Sequence, residues 1–297
     1  MSGYRLVVMD VDGTILTPSG EMTPRLLRAA QRAAERGVTL ALATARRWTG
    51  AEPVARALGA VRPLILYDGA LRRGFPGGAV EVIEPLEADV AREAADRIAA
   101  SGLRVVAQYS PSGAERMVAT AEAPRGEWME SYLATFSHQV RYRPLDALFS
   151  VFPKPLRLVS FGPMDTLRAL ADGMAELPAG VQILPTGSYG QAELTVFAPG
   201  VSKGSALTRL AADLGAPLAE TMALGDGIND ISMLRAAGLG VAMGHADARV
   251  RAAADVVTAS NREDGAARAI ERYALGEASE ADDVSDVVMR LEDEEPA

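Results

Sequence analysis

The apolar run Leu6 to Met9 ends in two aspartates one residue apart, Asp10 and Asp12, followed by Gly13 and Thr14. Like charges this close repel unless a cation neutralises them. A hard divalent cation does so, and Mg2+ favours a few carboxylate or carbonyl oxygens together with water and phosphate. One aspartate of such a pair can attack phosphorus while the other carries protons to and from a leaving group. The plain alternative, a capping aspartate beside a turn aspartate, accounts poorly for a pair that ends a buried strand.

Three further clusters have comparable chemistry. Thr44-Ala45-Arg46 offers a hydroxyl and main-chain N–H groups at a helix start, a ready anion site, although a threonine there can equally be an ordinary helix cap. Lys203, in Val201-Ser202-Lys203-Gly204, stands near a helix N-terminus, where it opposes the macrodipole. Facing an anion it makes sense; an exposed surface lysine is the alternative. It is one of two lysines in the chain, the other being Lys154. Gly225-Asp226-Gly227-Ile228-Asn229-Asp230 supplies oxygen ligands and close main-chain approach, more than a Gly-Asp turn with an asparagine cap requires. The order of the four clusters is more specific than any one of them. Each follows or opens an element so as to build one Mg2+ and phosphate pocket.

The elements that must position these groups read as an alternating pattern. Strands are expected at 4–10, 38–43 and 63–66, with helices at 23–36 (Thr23 cap, Pro24 in the first turn, Gly37 stop) and 47–58. This β-α-β-α-β order implies a doubly wound parallel sheet, whose ligands bind beyond the carboxyl ends of the strands. From residue 80 the rhythm changes to paired strands, 103–109 with 116–120 and 181–185 with 192–197, and helices near 86–100, 127–136 and 164–176. From Ser202 the alternation returns: helix to 214, strand 221–224, helix 229–236, strand 239–242, helix 246–253, strand 255–257 and helix 264–274. The expected fold is α/β, a Rossmann-like core of residues 1–78 and 199–276, an inserted α+β domain at 79–198, and an acidic tail at 277–297.

On these motifs the chain resembles the haloacid dehalogenase superfamily of phosphohydrolases, and within it the Cof-type branch with a large α/β cap of the C2B type. Tyr67-Asp68-Gly69-Ala70 and Gly240-Val241-Ala242-Met243-Gly244 add to the likeness, which runs over roughly residues 4–275. The resemblance implies that Asp10 is the nucleophile that forms an aspartyl-phosphate. It makes Asp12 the general acid and then general base, with its main-chain carbonyl on Mg2+. It places Thr44, Ala45, Arg46, Lys203 and Asn229 around the phosphoryl group, and Asp226 and Asp230 with Asp10 and Asp12 at the metal. The implied activity is a Mg2+-dependent phosphatase acting on a small phosphomonoester, a sugar or organic-acid phosphate.

Three positions depart from the family pattern: Ala45 replaces a glycine, and Asp68 and His245 stand where asparagine is more usual. Alanine keeps its N–H but resists positive φ. Asp68 either adds negative charge near an anionic substrate or points outward. A phosphosugar mutase of the same superfamily is the nearest alternative; it needs a second phosphate site, for which Arg104, Arg116, Arg141, Arg143 and Arg157 are available, although they read more simply as scattered surface arginines. A non-catalytic phosphosugar-binding regulator is the remaining alternative, and the intact acids oppose it.

Composition limits the partners. The chain has 297 residues, no cysteine and a net charge of −9. Residues 277–297 hold nine acids against Arg290, a charge of −8, which leaves about −1 for the rest. A balanced body argues against a nucleic-acid-binding face. The tail reads as a solvated end, or as a short docked helix on Val284, Val287, Val288 and Leu291. Absent cysteine excludes disulfides and thiolate chemistry and suits a cytoplasmic chain, monomer or homodimer, while no 18-residue apolar run suggests a membrane span. The N-terminus, which enters the first strand directly, suggests no leader.

Overall fold

The computed structural model describes residues 3–59, 61–122, 126–186 and 190–277. In chain order the strands and helices are β1 (Leu6–Met9), α1 (Pro24–Glu35), β2 (Thr39–Ala43), α2 (Trp48–Leu58), β3 (Val61–Leu66), β4 (Leu71–Arg73) and β5 (Val80–Ile83). There follow α3 (Ala88–Ala100), β6 (Val106–Tyr109), β7 (Arg116–Thr120), α4 (Glu127–Thr135), β8 (Val140–Arg143), β9 (Arg157–Pro163), α5 (Met164–Gly173), β10 (Gly180–Pro185) and β11 (Gln191–Phe197). The chain closes with α6 (Lys203–Asp213), β12 (Thr221–Gly225), α7 (Ile231–Ala236), β13 (Leu239–Ala242), α8 (Ala248–Ala252), β14 (Val256–Val257) and α9 (Gly265–Ala269). The described residues form two compact units, one within Met1–Ala43, Ala57–Arg62 and Leu207–Ala297, the other within Thr44–Arg56 and Pro63–Ala206.

In the first unit, five parallel strands run in the order β14-β13-β12-β1-β2. Strands buried on both faces are near-continuous apolar runs, and Leu6, Val7, Val8 and Met9 are all fully buried. Helix α1 begins as its sequence predicts: the Leu26 N–H donates to the Thr23 hydroxyl at 3.2 Å, and Pro24 fills the first turn. Its apolar face, Leu26, Ala29, Ala30 and Ala33, is buried, and the helix packs on α9. The Arg25 guanidinium meets Glu271 at 2.6 Å.

The second unit contains a six-stranded sheet, order β10-β11-β9-β6-β7-β8, antiparallel except for the β7–β8 pair. Both expected hairpins are present. Strands β8 and β9 were not expected from the sequence, and β9 is central. It follows a proline-rich approach at Pro153 and Pro155 and opens on a charged residue, Arg157, so propensity hides it. Residues of α3, including Val90, Ala94 and Ile98, pack on one sheet face, and residues of α4, including Met129 and Leu133, pack on the other. Strands β3, β4 and β5 pair antiparallel with one another.

Among the described residues, no helix is long and apolar enough to cross a membrane. The tail expectations, a solvated end or a helix on Val284, Val287, Val288 and Leu291, lie outside the described residues. Glu277 lies within them and pairs with Arg32 and Arg36.

Candidate active site

Parallel pairing brings the first and fourth clusters together. Leu224 of β12 lies opposite Met9 of β1, and the Asp10 N–H donates to the Leu224 carbonyl at 2.9 Å. The segments leaving β1 and β12 therefore emerge at the same carboxyl edge. The Asp10, Asp226 and Asp230 carboxylates converge there, with one oxygen of each within 4.8 Å of the others. Asp10 and Asp230 are buried, so their charge is poorly screened by water and must be balanced by neighbouring donors or a cation. Three hard oxygen donors at this spacing fit a divalent ion such as Mg2+. Asp12, two residues beyond Asp10, is exposed, and its carboxylate is not one of the three; the role expected of it at the metal rests on its main-chain carbonyl.

Local geometry explains the glycines. Gly13 has φ +82°, and a Cβ there would lie 2.2 Å from Asp226 Oδ2. A Cβ on Gly225 would lie 2.5 Å from the Asp230 Cβ. Asp230 Oδ2 accepts the Asp226 N–H at 3.0 Å and the Gly227 N–H at 2.8 Å, and so fastens the loop that carries Asp226 and Asn229.

Two residues to which the sequence reading assigned no role also hold Asp226. The Thr14 hydroxyl donates to Asp226 Oδ1 at 2.7 Å. His245 Nε2 lies 3.5 Å from Asp226 Oδ2, and its Nδ1 accepts the Asn261 N–H at 3.4 Å. With Nδ1 accepting, Nε2 carries the imidazole proton and faces the carboxylate. Thr14 was detectable as the last residue of the Asp-x-Asp-Gly-Thr run. His245 was visible only as a departure from asparagine.

The second unit assembles Thr44, Asp68 and Lys203 in the same manner. The Asp68 N–H donates to the Thr44 carbonyl at 3.1 Å and the Tyr67 N–H to the Arg46 carbonyl at 3.2 Å. Tyr67, Asp68 and Gly69 all have positive φ, and a Cβ on Gly69 would lie 2.3 Å from the Ser202 carbonyl oxygen. This strained turn is therefore pressed against the start of α6. Ser202 caps that helix, exchanging N–H to Oγ hydrogen bonds of 3.1 Å with Ser205. Lys203 is 1 % exposed, which overturns the surface-lysine alternative.

Thr44 does not cap α2. Its hydroxyl accepts the Arg46 N–H at 3.1 Å, while Glu115 accepts the Trp48 N–H at 2.6 Å and the Thr49 N–H at 3.1 Å. Ala45 is absent from the non-glycine positions of positive φ, so alanine is accommodated without strain there. Glu115, which the sequence reading did not single out, also accepts the Tyr67 hydroxyl at 3.0 Å. Burial first and the Glu115 charge next push the Tyr67 phenol well above its ordinary range, against the opposing pull of Arg47 and Arg157.

Asp68 points inward, not outward: it is 3 % exposed, and Arg157 Nη1 lies 3.4 Å from its Oδ2. Arg157 Nε also donates to Gln108 Oε1 at 2.8 Å. Burial works against the Arg157 charge, but Glu193, Tyr132, Asp68 and Tyr67 overcome it and raise its pKa. Burial conversely pushes the Glu193 carboxyl up, with Arg157 opposing. The scattered-surface reading fails for Arg157 and Arg104, which are 4 % and 6 % exposed and carry internal partners. Arg116, Arg141 and Arg143 are exposed.

Residues 7–270 match the haloacid dehalogenase-like hydrolase family. The phosphoglycolate phosphatase of Methanoculleus marisnigri is 30 % identical over 91 % of this chain and 96 % of its own length. The chloroplastic endoribonuclease YBEY of Arabidopsis thaliana is 28 % identical over 92 % of this chain, which spans only 47 % of that relative. Among solved structures, a haloacid dehalogenase-like hydrolase from Bacteroides thetaiotaomicron superposes with a TM-score of 0.72 at 26 % identity, covering 91 % of this chain and 99 % of that one. With the family matched over most of its length, around the very acids that converge at the sheet edge, the chain belongs to the haloacid dehalogenase-like hydrolases.

Proposed function

We propose that this chain is a Mg2+-dependent phosphatase that hydrolyses a small phosphomonoester, a sugar phosphate or a phosphorylated organic acid, through an aspartyl-phosphate. The observation that carries the reading is the convergence of Asp10, Asp226 and Asp230 at one carboxyl edge, with Asp12 two residues beyond Asp10. The phosphoglycolate phosphatase activity of the Methanoculleus relative supports the organic-acid half of the substrate class.

In the proposed reaction a carboxylate oxygen of Asp10 attacks phosphorus and the bond to the leaving alkoxide breaks. Asp12 gives that alkoxide its proton. It then takes a proton from the water that attacks the aspartyl-phosphate, releasing phosphate and restoring Asp10. Thr44, Ala45, Arg46, Lys203 and Asn229 hold the phosphoryl oxygens. Asp10, Asp226, Asp230 and the Asp12 main-chain carbonyl would hold Mg2+, which supplies charge neutralisation for a dianionic ester. Thr14 and His245, from their contacts with Asp226, keep its carboxylate oriented. Residues 79–198 act as the cap that selects the ester.

The test is phosphate release by the purified chain across a panel of phosphomonoesters, with and without Mg2+. Release from at least one ester, lost in EDTA and in Asp10→Asn with the melting temperature retained, is the expected result. No release from any ester would sink the reading, and turnover by Asp10→Asn would remove Asp10 as nucleophile.

A further inference from the structure

The six-stranded sheet carries a basic cavity that the proposed reaction does not use. It has a volume of about 350 Å3, and its lining includes Arg116, Arg141, Arg143, His138, Val118 and Phe152 but no aspartate or glutamate. Val118 of β7 lies opposite Arg141 of β8, and Thr120 opposite Arg143. Alternation along the strands puts Arg116, Val118, Arg141 and Arg143 on one face.

Among the described residues the three guanidinium groups make only local main-chain hydrogen bonds. Arg116 donates to the Glu115 carbonyl at 2.8 Å, Arg141 to the Val140 carbonyl at 3.1 Å and Arg143 to the Tyr142 carbonyl at 3.0 Å. Among the described residues none of the three has a carboxylate partner. Arg25, Arg72, Arg97 and Arg157 each have one. Three unneutralised guanidinium groups repel one another, and each is a planar donor fork suited to phosphate or carboxylate oxygens. Beside them lie apolar side chains: Phe152, tilted against the Tyr109 ring with centroids 5.3 Å apart, and Leu148 both line the cavity. Charge on one side and hydrocarbon on the other fit a compact organic anion.

The register separates this cavity from the Asp68 side of the sheet. Gln108 of β6 pairs with Met117 of β7 and with Arg157 of β9, so these three share a face. Arg116 and Val118, the neighbours of Met117, belong to the opposite one. Arg157 reaches Asp68 from its own face, and the basic cavity is turned the other way.

We propose that this cavity binds a small organic polyanion with two or more phosphate or carboxylate groups, at a site separate from the reacting ester. The test is calorimetry on the full chain with inorganic pyrophosphate as the probe, in EDTA so that no divalent ion bridges the probe to the aspartates. Saturable binding at one site is expected, at least tenfold weaker in Arg141→Gln/Arg143→Gln and several-fold weaker in Arg116→Gln. Melting temperature and Mg2+-dependent p-nitrophenyl phosphate turnover should stay within about twofold of the parent chain in both variants. The proposal is overturned if the parent chain shows no saturable binding or if the double variant binds equally well.

Discussion

Gly13 and Gly20 have nearly the same backbone conformation, φ +82° and +80°, but a Cβ on Gly20 meets nothing within 4 Å while one on Gly13 lies 2.2 Å from Asp226 Oδ2. Alanine at either position carries the left-handed cost of roughly 1–2 kcal/mol. At Gly20 that is the whole effect. At Gly13 the Asp226 carboxylate must also retreat by about 1 Å to reach ordinary contact. That shift breaks the 2.7 Å hydrogen bond from Thr14, and a hydrogen bond to a charged group contributes about 1.5–3 kcal/mol. Gly13→Ala should therefore lose about 3 kcal/mol or more in urea unfolding, against about 1–2 kcal/mol for Gly20→Ala. A 1 Å misplacement in a reacting site costs on the order of 100-fold in rate, so Mg2+-dependent phosphate release should fall by about that factor in Gly13→Ala and stay unchanged in Gly20→Ala. Equal stability losses with parental turnover in both variants would refute the claim that this glycine exists to admit Asp226.

Glu115→Ala should cost about 2–4 kcal/mol. The α2 amides can turn to water, at a cap loss of ~1 kcal/mol, but the fully buried Tyr67 hydroxyl cannot, at about 1–3 kcal/mol; in a Tyr67→Phe background the same substitution should cost only the cap, and equal costs in both backgrounds would dismiss the coupling. The Tyr67 phenol, raised by burial and by Glu115, contributes stability that is complete below the ordinary tyrosine value of 10.0 and is lost as pH rises through its folded value. Alkaline unfolding above pH 10 should therefore be less steep in Tyr67→Phe, as circular dichroism against pH would read, and identical profiles would exclude this phenol as the source. Asp68→Asn, the substitution toward the family's more usual residue, removes the negative charge facing buried Arg157 and should destabilise by ~1–3 kcal/mol in urea unfolding; unchanged stability would show that the guanidinium does not depend on this carboxylate.

The sequence by itself determined what is set by short-range chemistry. The apolar strands, the Thr23 cap with Pro24, the two hairpins and the order of the acidic, threonine, lysine and Gly-Asp clusters could all be read because each depends on residues a few positions apart. The convergence of Asp10 with Asp226 was legible too, because two parallel strands must release their next residues at the same edge. Tertiary structure decided which groups satisfy one another over long separations. Glu115 caps a helix 67 residues away, Arg157 pairs with Asp68 across 89, and Thr14 steadies Asp226 across 212. No periodicity carries such pairings. Each exists because a buried charge or donor must find its partner wherever the packed chain brings one. The same rule separates five arginines that look alike in sequence, burying Arg104 and Arg157 with partners and leaving Arg116, Arg141 and Arg143 around a cavity that holds no acid.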